Sequence, residues 1–573
     1  MNLRAAATAL TLWAAVSLGG TLLEGCAAPG QIANAQVVDA LVDSQAAEQT
    51  KADADAQAAS ADAAEVGPLG DVDSSAAAHD GATTDSAGPD SEVASGTDAG
   101  SGPDAGAAPD AGAGADADAD TAIDASPPKP APWTLASAAA ALDSGSAAQV
   151  QDLLSAYDMP LCAAGSCLFL VQAPQAKTVD VMGDWGNWTQ GNALSPAVKA
   201  KGWFSGKVAV DHSNVREYKL QIDGIWTLDP SNPYFRFGGF GPNSAIFPAS
   251  HSRLRLIGQV ASPQLGNNRS LYVYLPAAYF SSPDQHFPVL YWHDGLNVFT
   301  NPKAPFGDWK VDAVADALIA QGAIAPLVQV GIDTDDRMSE YVWAPLEYQK
   351  KVYAPKIAKY AAFLVDTVKP LIDKTFRTLP DRDHTALAGS SLGGNASLWI
   401  GWQHWKIFGR IASFSGALWI GEGASSGSGT TGSGPALRDI IAQNATGVPK
   451  GALRIYLDSG DRDFDDSACY ECDSWVYSDW TRNALIAAGW TNRAEWDTDG
   501  NLATPPANLA VSTAIAKVPS LAWSNQPPAG KSWQQWLGLG NNLLSLVGHG
   551  HQHSEPAWNQ RAPVALRYLF GGP

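Results

Sequence analysis

From about residue 265 onward, short apolar runs alternate with segments of helical spacing, and this alternation constrains the fold more than any other feature of the chain. The runs FPVLYWHDG (287–295) and APLVQVGID (325–333) are predominantly apolar, which is typical of strands buried on both faces. The segments VDAVADALIAQG and KIAKYAAFLVDTVKPLIDKTF have the apolar spacing of helices. Strands that alternate with helices predict an α/β fold, with an open, mostly parallel sheet covered on both faces.

One of these strand–helix units contains a motif with chemical meaning. The segment HTALAGSSLGGNASLWIGWQHW (384–405) predicts a strand at Thr385–Ala388, a sharp turn, and a helix from near Leu392. Its turn matches G-x-S-x-G, in which a serine between strand and helix is held exposed for nucleophilic attack. GASSG (423–427) fits the same pattern but lies among further Gly and Ser residues, as in a flexible loop. We therefore predict Ser391 as a nucleophile, with an ordinary glycine–serine turn as the alternative.

A serine nucleophile needs a base, and the base needs an orienting carboxylate. In hydrolases with this turn, the acid and then the histidine follow the serine along the chain. Asp463 follows the apolar strand RIYLDSG (454–460), and acids at the carboxyl end of a strand lie where active sites are built. Asp461 is the second candidate. Either aspartate could instead be a turn residue or belong to a salt bridge.

Three histidines are candidates for the base. His549, His551 and His553 come just before a C-terminal segment with amphipathic helical spacing. Alternating histidines on an extended strand could instead bind a metal ion, but a complete serine–histidine–aspartate triad needs no metal. His553 adjoins the predicted helix and is therefore the best anchored of the three.

The N-terminus predicts export. One arginine, an apolar run and the sequence Leu-Glu-Gly-Cys form a signal peptide at 1–25, which is too short for a spanning helix with polar flanks. Leu23 and Gly25 before Cys26 are typical of a bacterial lipoprotein cleavage site, although Glu24 is not. We expect lipidation of Cys26, which would attach the protein to a membrane surface without spanning it; plain secretion is the alternative.

The next hundred residues predict disorder. Residues 31–130 lack aromatic side chains and hold 20 acidic and two basic residues, most of the formal charge of −22 that the whole chain carries. Such a segment cannot bury enough apolar surface to offset its conformational entropy. The acidity also argues against nucleic acid as a partner. We therefore assign 26–132 to a disordered linker, followed by a short helical lead-in at 133–160.

The cysteines fit an oxidising compartment. Cys26 aside, the chain holds two close pairs, Cys162 with Cys167 and Cys469 with Cys472. In an exported protein, close pairs predict two short disulfides. A zinc site of four thiolates is the alternative, but its ligands would have to converge from two domains.

Residues 161–250 predict a small β-sandwich. CLFLVQA, TVDVMGDW and REYKLQIDGIW alternate like strands and end in turn residues. GDWGNW, EYKLQIDGIWTLDPSNP and GPNSAI resemble family-48 carbohydrate-binding modules. The resemblance implies a sugar platform of Trp188, Trp226, Lys219 and Asn243, in which indoles stack on sugar faces and the polar groups bond hydroxyls. The same tryptophans could instead be packing residues.

We assign 251–573 to an α/β-hydrolase domain, because the chain resembles a hydrolase family over about 265–573. YLPAAY, YWHDGLNVF, Arg337-Met-Ser-Glu-Tyr, AGSSLGGNAS, YLDSGDRD and HSEPAW are similar to the esterase D, or enterochelin-esterase-like, α/β-hydrolases. That family includes feruloyl and acetyl-xylan esterases of carbohydrate esterase family 1, siderophore esterases and mycolyl transferases. The resemblance implies Ser391 as nucleophile, Asp463 as acid and His553 as base, because His553 precedes Trp558 with the family's spacing. It also implies an oxyanion hole from the backbone N–H of Leu392 and one near Gly295–Leu296.

Together these observations predict an exported serine esterase, secreted or held at the cell surface or in the periplasm as a lipoprotein, that needs no cofactor. The expected substrate is a feruloyl or acetyl ester on a polysaccharide, because the preceding module is sugar-related. A siderophore ester is the runner-up, and a non-catalytic glycan-binding lipoprotein is the alternative of another class. The long loops at 421–434 and 499–540 depart from the family pattern, so the resemblance does not predict which acyl group the substrate carries.

Overall fold

The structure is a computed structural model. It describes residues 134–144, 146, 148–149, 152–153, 160–197, 202–348, 351–421, 434–443, 447–462, 474–491, 527, 530, 532–538 and 542–571. The predicted signal peptide, Cys26 and the linker lie outside the described residues, as do Asp463, Cys469 and Cys472. All described residues belong to one compact unit.

Twenty strands are described. In chain order they are β1 Leu161–Ala163, β2 Ser166–Gln172, β3 Val179–Gly183, β4 Gly191–Ala193, β5 Ser195–Pro196, β6 Trp203–Ala209, β7 Arg216–Ile222, β8 Ile225–Thr227, β9 Tyr234–Gly238, β10 Gly241–Ile246, β11 Arg253–Ser262, β12 Asn267–Leu275, β13 Val289–Trp292, β14 Val328–Ile332, β15 Leu346–Tyr348, β16 Lys351–Tyr353, β17 Thr385–Ser390, β18 Arg410–Phe414, β19 Arg454–Arg462 and β20 Leu543–Gln552.

Twelve α-helices accompany these strands in the described ranges. They are α1 Leu135–Ser144, α2 Ala277–Ser281, α3 Gly295–Val298, α4 Val311–Ala320, α5 Arg337–Glu340, α6 Ile357–Phe363, α7 Lys369–Thr375, α8 Leu392–Gln403, α9 Leu437–Gln443, α10 Ser474–Ala487, α11 Trp533–Leu537 and α12 Glu555–Phe570. A π-helical turn at Leu364–Val368 joins α6 to α7, and single 3₁₀ turns lie at Asp184–Gly186 and Arg382–His384.

The C-terminal part forms the predicted α/β fold. Its sheet runs in the order β20-β19-β18-β17-β13-β14-β12-β11. The six strands from β20 to β14 pair in parallel, whereas β12 and β11 add antiparallel strands at one side. The prediction of an open, mostly parallel sheet is confirmed for those six strands.

Helices cover both faces of this sheet. Along β13, Leu290 and Trp292 face the apolar cluster that includes residues of α4 and α12, while Val289 and Tyr291 face the cluster that includes residues of α6 and α8. Successive strand residues point to opposite faces, so an apolar run fills both clusters. Full burial of one such aliphatic side chain contributes about 1.5–3 kcal/mol.

The N-terminal strands form two layers around a core of their own. β1, β2, β6 and β5 make a four-stranded sheet. Phe169 and Phe204 of that sheet share one apolar cluster with Val181 and Leu220, which lie on β3 and β7. Cys162 and Cys167 form a disulfide across β1 and β2, so their sulfurs are not available as zinc thiolates.

The second of these layers continues without a break into the parallel sheet of the C-terminal part. β9 pairs with β10 on one side and with β11 on the other, where Phe235 lies opposite Leu254. Phe235 and Phe237 pack against Tyr272 of β12, with ring centroids 5.9 and 5.3 Å from it. The 250/251 position predicted as a boundary therefore falls within one hydrogen-bonded sheet.

Candidate active site

Ser391 lies in a sharp turn between β17 and α8. Its backbone has φ 54° and ψ −124°, a left-handed conformation that side chains other than glycine rarely adopt. The turn is held from one side: the Ser391 N–H donates to the Phe414 carbonyl at 3.0 Å, and its carbonyl accepts from Ala417 N–H at 2.9 Å. Ser391 is partly exposed, while the flanking strand is buried. This is the geometry of a nucleophile elbow.

The two glycines of the motif make room for His293. A Cβ on Gly389 would lie 2.8 Å from the Gly393 carbonyl carbon and 3.0 Å from His293 Cδ2. A Cβ on Gly393 would lie 3.1 Å from the Cβ of His293. Contacts this short force the surrounding atoms to move, so the sequence Gly-x-Ser-x-Gly follows from the packing.

His293 supports the elbow as a neutral side chain. It is fully buried, and its Nδ1 lies 2.9 Å from the Tyr360 hydroxyl. Burial lowers the pKa of His293 to about 4. An imidazole that remains neutral at physiological pH can be buried here without an uncompensated charge.

The predicted oxyanion donors lie at the ends of neighbouring strands. Leu392 is the first residue of α8, so its N–H has no acceptor within the helix. β13 pairs in parallel with β17, and the His293 N–H donates to the Ala388 carbonyl at 3.0 Å. Gly295 and Leu296 follow directly, with Gly295 so close to β14 that a Cβ would lie 2.7 Å from the Gly331 carbonyl carbon. The role of these amides remains a prediction.

The predicted acid and base directly follow the last paired residues of two neighbouring strands. β19 and β20 run in parallel, and their final pair is Arg462 with Gln552. The next residues along the chain are Asp463 and His553. Asp463 lies outside the described residues, as does the side chain of Asp461, so their roles stay predictions.

His553 is packed against the helix that follows it. Its ring lies 5.0 Å from the ring of Trp558, with an angle of 81° between the planes. That helix, α12, begins at Glu555, two residues after His553. His551 folds its ring over Gly548, and the side chain of His549 lies outside the described residues.

A buried serine connects the elbow to that helix. Ser415 Oγ accepts from Trp558 Nε1 at 3.2 Å and from Arg561 Nη2 at 2.7 Å. Ser415 belongs to the same short segment, 414–417, that bonds both the N–H and the carbonyl of Ser391. The nucleophile turn and the helix that carries the predicted base are thus tied to one segment.

A charged pair lies at the centre of this connection. The side chains of Asp458 on β19 and Arg561 on α12 are fully buried, with Arg561 Nε 3.1 Å from Asp458 Oδ2. The Tyr456 hydroxyl donates to the same carboxylate oxygen at 2.6 Å, and the Ser415 N–H donates to Oδ1 at 3.3 Å. Buried charges are tolerated when paired and hydrogen-bonded in this way.

Sequence reasoning missed three charged residues beside the predicted oxyanion segment. Asp294 and Arg337 form a two-pronged ion pair, and Glu555 lies near them with its Oε1 3.4 Å from Asn297 Nδ2. Burial raises the pKa of Glu555 to about 7. One sequence signal could have identified Asp294. It follows strand β13 in the HDG sequence, at the same end of the sheet at which Ser391 was predicted.

The predicted sugar platform is only partly assembled. The rings of Trp188 and Trp226 lie 6.5 Å apart, and Trp226 is 46% exposed. Lys219 Nζ donates to the carbonyl of Phe240, whose side chain is 98% exposed. Asn243 is buried, and its amide donates to Glu217 Oε2 at 2.8 Å. Trp226 is exposed and Trp188 and Lys219 are partly exposed, whereas Asn243 is buried and bonded to Glu217.

Within the described ranges, no group of three or more His, Cys, Asp or Glu side chains is arranged to hold a metal ion. Among those same residues, none of the helices has both the length and the apolar character that a membrane crossing requires.

Comparison with known proteins agrees with this geometry. Residues 262–479, which include β17, Ser391 and β19, match the model of the family described as “Putative esterase”. This match confirms the sequence-based prediction of an esterase-type domain in this part of the chain.

Two curated relatives are similar over part of the chain. An uncharacterised protein of Bacillus subtilis, YbbA, is 27% identical over 170 residues, which are 29% of this chain and 64% of that protein. An endo-1,4-beta-xylanase/feruloyl esterase of Xylanibacter ruminicola is 27% identical over 277 residues, 45% of this chain and 36% of that protein. The match thus spans less than two thirds of either relative.

Solved structures are similar at lower identity. A ferulic acid esterase is 18% identical, with a TM-score of 0.37, over 56% of this chain and 98% of its own. The ferric enterobactin esterase of Salmonella typhimurium is 14% identical, with a TM-score of 0.34, over 70% of this chain and 93% of its own.

Proposed function

We propose that the protein is a serine esterase that hydrolyses carboxylic esters through Ser391, Asp463 and His553. The observation that carries the proposal is the left-handed turn of Ser391 between a buried strand and a helix, within a segment that matches an esterase family. The β19–β20 register supports it, because the acid and the base each follow the last paired residue of their strand.

The reaction would proceed by acyl transfer to the serine. His553 takes the proton of the Ser391 hydroxyl as its oxygen attacks the ester carbonyl carbon, and Asp463 stabilises the resulting imidazolium. Collapse of the tetrahedral intermediate expels the alcohol, which receives the proton from His553. Water, activated by the same histidine, then hydrolyses the acyl-enzyme and restores the serine.

The oxyanion would be stabilised by backbone donors. The N–H of Leu392 and one from Gly295–Leu296 would bind the oxygen that becomes negative in the tetrahedral intermediate. Donors held in place before the reaction need no reorganisation, and one such donor is worth about 10²–10³ in kcat.

The test is hydrolysis of p-nitrophenyl acetate by the full chain. We expect Ser391→Ala to lower turnover by at least three orders of magnitude, because the triad acts as a unit. The matched control is Ser425→Ala in the second G-x-S-x-G sequence, which should keep wild-type turnover. Near-normal turnover by Ser391→Ala would end the serine-esterase proposal, whereas absence of turnover in the wild-type protein would favour the non-catalytic alternative.

For the substrate we propose feruloyl or acetyl esters of a polysaccharide. The Xylanibacter relative is named as a feruloyl esterase, and the partly exposed Trp188 beside the exposed Trp226 suits stacking on sugar rings. Feruloylated xylan, acetylated xylan and enterobactin-type esters should be compared by kcat/KM. A preference for the enterobactin-type ester would replace this substrate class with siderophores.

The role of the platform can be separated from catalysis. We expect the double change Trp188→Ala and Trp226→Ala to weaken retention on insoluble xylan at least tenfold, with p-nitrophenyl acetate turnover unchanged. Retention should be measured with both proteins also carrying Ser391→Ala, so that the ester groups of the xylan are not hydrolysed during the assay. Unchanged retention would show that the two indoles do not bind the polysaccharide.

We also propose that the protein is exported and lipidated at Cys26. The support is the apolar N-terminal run and the Leu-x-Gly-Cys pattern. Labelled palmitate should be incorporated by the wild-type protein and not by Cys26→Ser; equal labelling of both would refute lipidation at this position.

A further inference from the structure

The segment that carries Gly295 is held by an ion pair. Arg337 Nε donates to Asp294 Oδ1 at 2.9 Å, and Arg337 Nη2 donates to Asp294 Oδ2 at 3.0 Å. Side chains of both residues are only about one fifth exposed, at 21% and 18%. A planar guanidinium that binds both oxygens of a carboxylate fixes its orientation as well as its position.

The same pair lies beside the nucleophile turn: one partner bonds the residue before Ser391, and the other lies close to a residue after it. Arg337 Nη2 reaches the carbonyl of Ser390 at 3.5 Å. The other partner, Asp294, places Oδ2 only 3.2 Å from where a Cβ on Gly393 would lie. The pair therefore bridges the segment before Gly295 to the residues that flank the nucleophile.

The backbone at Asp294 needs such support. Asp294 has φ 57° and ψ 53°, a left-handed conformation that costs a residue other than glycine some free energy. Its N–H donates to the Tyr341 hydroxyl at 3.2 Å, and the Arg337 guanidinium carbon lies 5.6 Å from the centroid of the Tyr341 ring. The conformation of Asp294 sets the direction of the next peptide N–H, that of Gly295.

We propose that Arg337 is a positioning residue, which acts through Asp294 to hold the Gly295 N–H at the oxyanion position relative to Ser391. The inference rests on the proposed esterase mechanism and adds a residue to it. Arg337 would not touch the substrate. Its loss should therefore weaken stabilisation of the tetrahedral intermediate more than binding of the ester.

The test compares Arg337→Lys, Arg337→Met and Asp294→Asn in the full chain. Lysine keeps the charge but cannot bind both carboxylate oxygens in one plane. We expect Arg337→Lys to lower kcat about 10–100-fold, less than loss of a whole oxyanion donor, with KM within about threefold. The Arg337→Met/Asp294→Asn double variant should lose no more kcat than the worse single variant, because both changes break one contact.

A second readout and a matched control separate positioning from stability. Phosphonylation of Ser391 by a p-nitrophenyl phosphonate also needs the oxyanion hole, so its rate should fall in parallel with kcat. Lys356→Met removes a nearby, more exposed ion pair with Asp336 and should leave kcat unchanged. If Arg337→Met does not fold, the lysine and asparagine variants carry the test.

The outcomes distinguish this inference from the function on which it rests. Wild-type kcat in Arg337→Lys, with Ser391→Ala inactive, overturns the positioning role and leaves the esterase mechanism intact. A raised KM with unchanged kcat also overturns it, since that result would place Arg337 in substrate binding. Wild-type turnover in Ser391→Ala overturns the mechanism itself.

Discussion

Replacing Arg561 with methionine would test whether the buried charge network holds the base-carrying helix in place. Arg561 and Asp458 have fully buried side chains, so the variant leaves a carboxylate without its countercharge in the interior. Removing one partner of a buried ion pair typically costs about 3–5 kcal/mol. Methionine fills much of the same volume, which keeps a cavity contribution small.

The structure favours the lower end of that range. After the change, Asp458 keeps the bonds from the Tyr456 hydroxyl and the Ser415 N–H. Each bond to an ionised oxygen offsets part of the lost countercharge. Ser415 Oγ, however, loses the bond from Arg561 Nη2. We expect a loss of about 3 kcal/mol in the free energy of unfolding, roughly a hundredfold in the folding equilibrium constant.

Urea unfolding followed by tryptophan fluorescence would measure this loss. The matched control is Lys356→Met, which breaks a half-exposed ion pair and should cost at most about 1 kcal/mol. Adding Asp458→Asn to Arg561→Met also removes the carboxylate charge that Arg561 neutralised, and should recover part of the stability. A single variant within about 1 kcal/mol of wild type, or a double variant less stable than the single one, would refute the argument.

The remaining predictions concern the histidines. His553→Ala should abolish hydrolysis of p-nitrophenyl acetate, whereas His551→Ala should change mainly KM; an inactive His551 variant beside an active His553 variant would shift the base assignment by two residues. A chelator should leave turnover unchanged, because a serine triad uses no metal ion; loss of turnover on chelation would instead support metal ligation by the histidines.

Local signals were sufficient for the nucleophile turn. The apolar run before Gly389 and the helical spacing after Ser391 predict a strand at Thr385–Ala388 and a helix from Leu392; the structure has β17 at Thr385–Ser390 and α8 from Leu392. These features depend on residues close in sequence, where periodicity and turn chemistry act directly.

Long-range pairings could not be predicted in the same way. Asp294 and Arg337 are 43 residues apart, and their contact depends on the order of the strands in the sheet. Asn243 matched a sugar-binding position, but Glu217 lies close enough in space to bind its amide. Which polar group a side chain reaches is decided by strand register, and a single sequence does not specify register across such distances.

Because β9 and β11 are hydrogen-bonded to each other, the C-terminal half cannot be produced alone without exposing a strand edge. A shortened protein that starts at 251 would leave β11 as an outermost strand, with open backbone donors and acceptors along Arg253–Leu256. It would also uncover Tyr272, which Phe235 and Phe237 now shield. An open strand edge pairs with strands of other molecules. Aggregation of the isolated C-terminal half would therefore be a consequence of the missing strand β9, and it would not show that the catalytic residues are misplaced.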